Sequence, residues 1–436
     1  MESCLSSEFS VLIPDQHCAG GASPCVTLTA PPSLTVPTRR PAGVPVWPFR
    51  VLLLLSLFSL SPSILAAPLF MGLGDLPGGS FFSSANGVSA DGKTVVGFAD
   101  GGSTGEAFRW TESGGMQGLG HLTGASFANA VSADGKTVVG QGDRAAGVEA
   151  FRWTESGGMQ GLGYLTGGSS YSLAYGVSAD GKTIVGDGIG TSGMEAFRWT
   201  ESGGMQGLAM STGGDSYSQA RGVSADGQVV VGYGSGAWGY GPVRWTSDGG
   251  MQSLGLPLGG SASAVSADGR TVVGSAWFSN GGQAFRWTPD DGAQNIGAPP
   301  WTSVATDVSA DGQTVVGYGY LGATSGYEPF IWDAGHGMRS FADVLQSDYG
   351  LNLTGWTLQA ATGISDDGRA IVGYGSNPSG QTEAWLARLD APGPIIHLAD
   401  EPSFGTLSKP ISIDPPQTDS CHHAWLAVPG LDAERA

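Results

Sequence analysis

Val131-Ser-Ala-Asp-Gly-Lys-Thr-Val-Val-Gly140 carries a turn signal flanked by strand formers. Asp134-Gly135 stands between two runs of β-forming residues, and glycine supplies a positive φ there at no steric cost, so the decamer spells a β-hairpin. The same motif recurs seven times in the chain of 436 residues, with its aspartate at Asp91, Asp134, Asp180, Asp226, Asp268, Asp311 and Asp367. Self-similarity at a period of about 45 residues is the mark of a repeat architecture. A residue present in every unit also builds scaffold before it does chemistry.

The residues on either side of the hairpin complete the unit. Met116-Gln-Gly-Leu-Gly120 is a short strand, and Ala128-Asn-Ala-Val-Ser132 a second one leading into the Asp-Gly turn. Lys136-Thr-Val-Val-Gly140 is the third, rich in β-branched residues. Glu149-Ala-Phe-Arg-Trp-Thr154 is the fourth, with Phe151 and Trp153 on one face and Arg152 on the other. Four short antiparallel strands per unit is the dimension of a propeller blade, whereas a β-solenoid coil is shorter and lacks the double hairpin.

The ends of the repeat region predict closure. Leu69-Phe-Met-Gly-Leu-Gly74 is an orphan copy of the Met-Gln-Gly-Leu strand, and Glu383-Ala-Trp-Leu-Ala387 ends the last unit without one. Pairing them gives the expected fold: an all-β, seven-bladed β-propeller of four-stranded blades, closed by its N- and C-terminal strands. The expected organisation is an upstream extension and signal segment at 1–67, the propeller at 68–390 and a disordered Pro-rich tail at 391–436.

These motifs resemble two families. Val-Ser-Ala-Asp-Gly-Lys-Thr-Val-Val-Gly followed by Phe-Arg-Trp-Thr is a distant likeness of a WD-repeat blade, and is more closely similar to the HAF family of extracellular bacterial repeats. The likeness covers nearly all of 68–390. The last unit carries it in Phe330-Ile-Trp-Asp333, Gly337-Met-Arg339, Gly363-Ile-Ser-Asp-Asp-Gly368, Ile371-Val-Gly-Tyr-Gly375 and Glu383-Ala-Trp-Leu386. The resemblance implies an exported protein and brings no catalytic residues with it. Some proteins of this kind resemble substrates of a surface-sorting system that reads a Pro-Glu-Pro motif before an apolar helix. Nothing after Asp390 matches that pattern.

Composition narrows the function. The formal net charge is −19, and the repeat region holds 14 basic against 29 acidic residues. Such a surface repels phosphate backbones and anionic lipid, so nucleic acid is not an expected partner. Cys4, Cys18, Cys25 and Cys421 all lie outside the repeats, which leaves the propeller without a disulfide, a thiol nucleophile or a cysteine zinc site. Arg39, Arg40 and Arg50 precede the apolar run Val51-Leu-Leu-Leu-Leu-Ser-Leu-Phe-Ser-Leu60, with Ala66-Ala67 following. That order reads as a secretory signal peptide, and the expected location is extracellular or cell-surface. An uncleaved segment would make it a membrane anchor, the one way a membrane becomes a partner, and the periplasm is the other alternative.

Comparison of the units locates the candidate site. The Ser-Ala-Asp-Gly turns and most of the Thr-Glu-Ser-Gly-Gly turns barely change, and they share one face of the disc. The other two loop sets share the opposite face, vary, and collect aromatics. From these loops we take Trp238, Tyr240, Trp277, Trp301, Tyr320 and Trp356 as ligand-binding candidates, because broad rings on a rigid scaffold suit sugar or protein surfaces. The bland alternative is that they plug blade tops. One inner-strand position also varies, as Asn86, Asn129, Tyr175, Arg221, Ser263, Thr306 and Thr362. If these side chains reach the central channel they line a small ligand site, and Tyr175 and Arg221 join the candidates; the alternative is a filled, wet channel with no ligand.

The expected function is a non-catalytic binding or structural module for surface polysaccharide or protein. The alternative is a secreted propeller glycoside hydrolase or polysaccharide lyase using Glu106, Glu149, Glu195, Glu328 or Glu383, which share one repeat position. Repetition argues that those glutamates are structural. No nucleophile elbow, zinc helix or phosphate loop is present, so no catalytic residue, metal or cofactor is assigned. The long insertion of the last unit places Phe341, Val344 and Leu345 at helical spacing, which predicts a short helix capping the disc and ending near Gly350.

Overall fold

The computed structural model describes residues 67–389, except 103, 209–216, 248, 257–258, 299–301 and 321–325. The expected upstream extension, signal segment and tail lie outside the described residues.

The chain forms seven separate four-stranded antiparallel sheets, each a blade. Blade 2 is representative: Ser126–Val131, Thr137–Arg144, Gly147–Thr154 and Gly158–Gly161, from the inner strand to the outer. Blades 1 to 6 are each continuous in sequence. Blade 7 takes its inner three strands from Thr357–Ile364, Ala370–Ser376 and Thr382–Arg388, and its outer strand from Leu69–Gly72 at the other end of the chain. The expected closure is therefore present, in the register Leu69↔Arg388 to Gly72↔Trp385.

Each blade is a two-faced sheet and must bury both faces. Seven apolar clusters do this, each mixing residues of two neighbouring blades. Val96 and Ala107 of blade 1 meet Ala128, Val138 and Phe151 of blade 2, for instance. In six of the seven seams one fully buried ring comes from the Phe-Arg-Trp strand, namely Phe108, Phe151, Phe197, Phe285, Phe330 and Trp385, and in the seventh Val243 of blade 4 stands at that position. Burying one such ring stabilises the fold by roughly 1.5–3 kcal/mol, so the repeat distributes its core evenly around the ring.

Polar links reinforce the seams. The Ser126 hydroxyl accepts from the Ala107 N–H of the preceding blade (3.0 Å) and donates to the Gly120 carbonyl (2.8 Å). Ser83, Ser172, Ser218 and Ser303 accept the equivalent N–H in their own seams. This is why a row of serines is fully buried without penalty.

The helix expected in the last unit is α1, Phe341–Ser347, with Ser340 as its N-cap. Its buried residues are Phe341, Val344 and Leu345, which pack with Ile331 of blade 6 and Leu358 and Trp385 of blade 7. It thus belongs to the core of one seam.

Candidate ligand-binding face and channel

The repeated aspartates are turn residues. In blade 2 the Ser132 hydroxyl donates to Asp134 Oδ1 (2.7 Å) and accepts from the Thr137 N–H (3.0 Å), while Asp134 Oδ1 also accepts from the Lys136 N–H (3.1 Å). The serine-to-aspartate bond recurs in all seven units. The Ser132 hydroxyl holds the Asp134 carboxyl below its ordinary range. The residue between serine and aspartate has a second role, since its N–H donates to the carbonyl of the same residue in the next blade. Ala90→Ala133→Ala179→Ala225→Ala267→Ala310→Asp366→Ala90 is a closed collar of seven bonds, 3.0–3.3 Å long.

Three of the five shared glutamates are clamps. Glu106, Glu149 and Glu383 each accept the N–H of a glycine held at positive φ just after an outer strand: Gly120, Gly163 and Gly74 (2.8–2.9 Å). Glu149 is also paired with Arg144, and Glu383 accepts from the Asn377 amide. Their oxygens are committed to loop geometry, which gives the position a structural reason. Among the described residues no three His, Cys, Asp or Glu side chains are grouped to hold a metal.

Exposed rings lie on the variable face. The large hydrophobic side chains exposed among the described residues are Phe82, Trp238, Tyr240, Trp277, Tyr320 and Tyr327, and every one is on a loop or strand end opposite the Asp-Gly turns. All but Phe82 belong to blades 4 to 6. Tyr240 stacks on Tyr233 (5.9 Å between centroids), and Tyr327 meets Tyr318 and Tyr320 edge-on (5.6 and 5.3 Å). Between blades 5 and 6 a cavity of about 250 Å³ is walled by Trp277, Tyr318, Tyr327 and Val304. Trp277, 60% exposed, is its rim.

Of the candidates, Trp238, Tyr240, Trp277 and Tyr320 are thus on one arc of this face. Trp301 lies outside the described residues. Trp356 is elsewhere: it is half-buried, edge-on to Phe70 (5.2 Å), and packs on the blade 6–7 core cluster with Trp385. Its ring serves the seam.

The variable inner-strand position does face the channel, and a backbone irregularity puts it there. In every blade the register between the inner two strands shifts at this residue, as between Ala128 and Ala130 around Asn129. A bulge re-aims one side chain out of the ladder. All seven bulge residues line one cavity of about 230 Å³ on the axis. Four of them tie blades together: Asn86, Asn129, Thr306 and Thr362 donate to the Ala128, Ala174, Ala361 and Ala85 carbonyls of the next blade (2.7–2.9 Å).

Blades 3 and 4 build something different. The Arg221 guanidinium lies 4.2 Å over the Tyr175 ring and donates to Gln219 Oε1 (3.1 Å). Tyr175 and the Gln219 amide face Asp187, whose carboxyl is fully buried and closes no hydrogen bond of ordinary geometry. Burial pushes Asp187 up to about 6, against the pull of Arg221, Tyr175 and Gln219. Burial, then the Asp187 charge, raises the Tyr175 hydroxyl as well. Among the described residues Arg221 has no carboxylate partner within ion-pair distance. Asp307 also lines the channel, accepting from the Val308 N–H and from the Ile364 N–H (2.8 and 3.0 Å), and burial pushes it up to about 7.

Asp187 and Asp307 escaped the sequence reading, yet both carry a signal. Asp307 stands where the other units have Gly87, Ala130, Gly176, Gly222, Ala264 and Gly363. Asp187 occupies a second-strand position that varies as widely as the bulge, being Phe98, Gln141, Tyr233, Ser275, Tyr318 and Tyr374 elsewhere.

No family model matches the chain, and no curated protein matches it. Among solved structures it is similar to a TolB-type protein from Agrobacterium tumefaciens (14% identity, TM-score 0.36, 74% of this chain and 90% of that one). It is similar also to an oligogalacturonate lyase from Vibrio parahaemolyticus (11%, TM-score 0.47, 74% and 97%) and a gluconolactonase from Xanthomonas campestris (13%, TM-score 0.37, 74% and 90%). These likenesses say nothing of activity. The seven closed four-stranded blades by themselves make the chain a β-propeller.

Proposed function

We propose that this is an exported, non-catalytic propeller that binds surface polysaccharide on its variable face, along the arc of blades 4 to 6. One observation carries the reading: the exposed large hydrophobic residues converge on that face while the opposite face carries the repeated Asp-Gly turns. A flat ring buries the C–H face of a sugar and loses little side-chain entropy in doing so. The net charge of −19 favours a neutral or basic glycan over an acidic one. A protein surface is the other partner such rings would suit. Export is supported by the apolar segment 51–60 with its basic flank and by the resemblance to extracellular repeats. The clamping role of Glu106, Glu149 and Glu383 supports binding without turnover.

The test is a glycan array read beside an assay for released reducing ends. Retention of a glycan without cleavage, lost in Trp277→Ala, is the expected result. Cleavage that disappears in Glu149→Gln would replace this reading by the hydrolase one.

A further inference from the structure

We propose that the central channel is a second binding site, for a polyhydroxylated small molecule of the size of one sugar unit, held by Arg221 and Asp307. The site is independent of the aromatic face and each can fail without the other.

Elsewhere in the ring the bulge position is structural. In blades 1, 2, 6 and 7 its side chain is spent on the next blade's carbonyl. Blade 4 replaces that short link by Arg221, a longer residue with five N–H donors. One of these makes a hydrogen bond within the wall, to Gln219. Stacking on Tyr175 fixes the plane of the guanidinium, and Asp187 behind Tyr175 supplies a compensating charge that is not in direct contact. A cation is thereby kept on the axis with donors to spare.

Asp307 adds the acceptor. Six units place glycine or alanine at its position, and a carboxylate there costs burial of charge, as its raised proton affinity records. Its bonds from Val308 and Ile364 leave lone pairs on both oxygens. Ser263 adds a hydroxyl to the same cavity. A lining that mixes the donor-only Arg221, the Asp307 carboxyl (acceptor when ionised, donor as well when protonated) and a hydroxyl, with the Tyr175 ring covered by Arg221, matches a ligand that both donates and accepts at several points. Sugar hydroxyls do so. An apolar ligand finds no surface here, and an acidic one meets Asp307.

Repeat comparison supplies variants that the fold already accepts. Arg221→Asn installs the residue of blades 1 and 2, and Asp307→Gly that of four other blades. The probes are glucose, galactose, mannose and N-acetylglucosamine, each tested by saturation-transfer NMR and calorimetry on the propeller. The expected result is binding of at least one sugar, weakened at least tenfold in both variants and unchanged in Trp277→Ala, with the β-sheet circular dichroism spectrum of the parent retained by all three. No binding of any of the four overturns the proposal. Binding that survives both channel variants also overturns it, and its loss in Trp277→Ala would assign the sugar to the aromatic face.

Discussion

Met71, in the first strand, pairs with Leu386, in the last, so the outer edge of blade 7 is supplied by the opposite end of the chain. The pairing continues past the strand, where the Leu73 N–H donates to the Ala384 carbonyl (2.9 Å) and the Gly74 N–H to Glu383 Oε1 (2.9 Å). Closure leaves neither a missing blade nor an open seam.

Removing residues 68–74 should therefore destabilise the whole ring and not one blade. It uncovers the edge of Thr382–Arg388, and an unpaired edge invites association with another chain. Thermal unfolding and sedimentation of the truncated propeller should show a midpoint lowered by at least several degrees and a concentration-dependent increase in mass. An unchanged midpoint would contradict the closure.

Two glycines at the same kind of φ should differ in what alanine does to them. Gly135 (φ 70°) has the Thr94 side chain of the preceding blade where a Cβ would go, whereas Gly158 (φ 63°) has open space there. Gly158→Ala should cost about 1 kcal/mol for the left-handed backbone alone. Gly135→Ala adds overpacking at a seam and should cost about 2–4 kcal/mol. Urea unfolding of the two variants gives the comparison directly.

Asp187 and Asp307 make stability depend on pH in a direction opposite to the turn aspartates. Both hold protons to about 6 and about 7 in the fold, against an ordinary 3.8 in the unfolded chain. The folded state binds more protons, so their contribution is complete below about pH 3.8 and is lost as pH rises through 6 to 7. For Asp134, Asp180 and Asp226, held low by their serine hydroxyls, stability is present above 3.8 and lost on acidification below it. Asp307→Asn should accordingly raise the thermal midpoint at pH 8 relative to the parent, and by clearly less at pH 4.5. Equal shifts at the two pH values would remove Asp307 as a pH-dependent group.

The blades were legible because each strand repeats its pattern seven times, so turn chemistry, period and closure agree. The aspartate turn was readable for the same reason: Ser132, Asp134 and Gly135 act within a few residues of one another. What could not be read were relations between blades. The collar from Ala90 to Asp366 joins backbone atoms, and alanine carries no chemical hint of it. The bulge at Asn129 is equally silent, since a register shift leaves no mark on residue type. Trp356 has the sequence of a surface aromatic because its loop varies, but Phe70, from the far end of the chain, and the blade 6–7 core cluster take up its ring. The arc of blades 4 to 6 was visible only in part, because exposure depends on which rings neighbouring blades cover.

Trp277 and Tyr327 wall the same cavity and are both exposed, so their loss should leave the fold nearly unchanged, within about 0.5 kcal/mol. Binding of any glycan captured by the variable face should fall roughly tenfold or more in either variant, the usual consequence of truncating an aromatic anchor. Calorimetric titration beside circular dichroism separates the two effects.

The most direct measurement is a glycan array probed with the propeller and with its Trp277→Ala, Tyr327→Ala double variant. Binding on the aromatic arc predicts retention of one or more neutral or basic surface polysaccharides by the parent and their loss in the double variant. Equal retention by both proteins, or capture of acidic glycans alone, would contradict it.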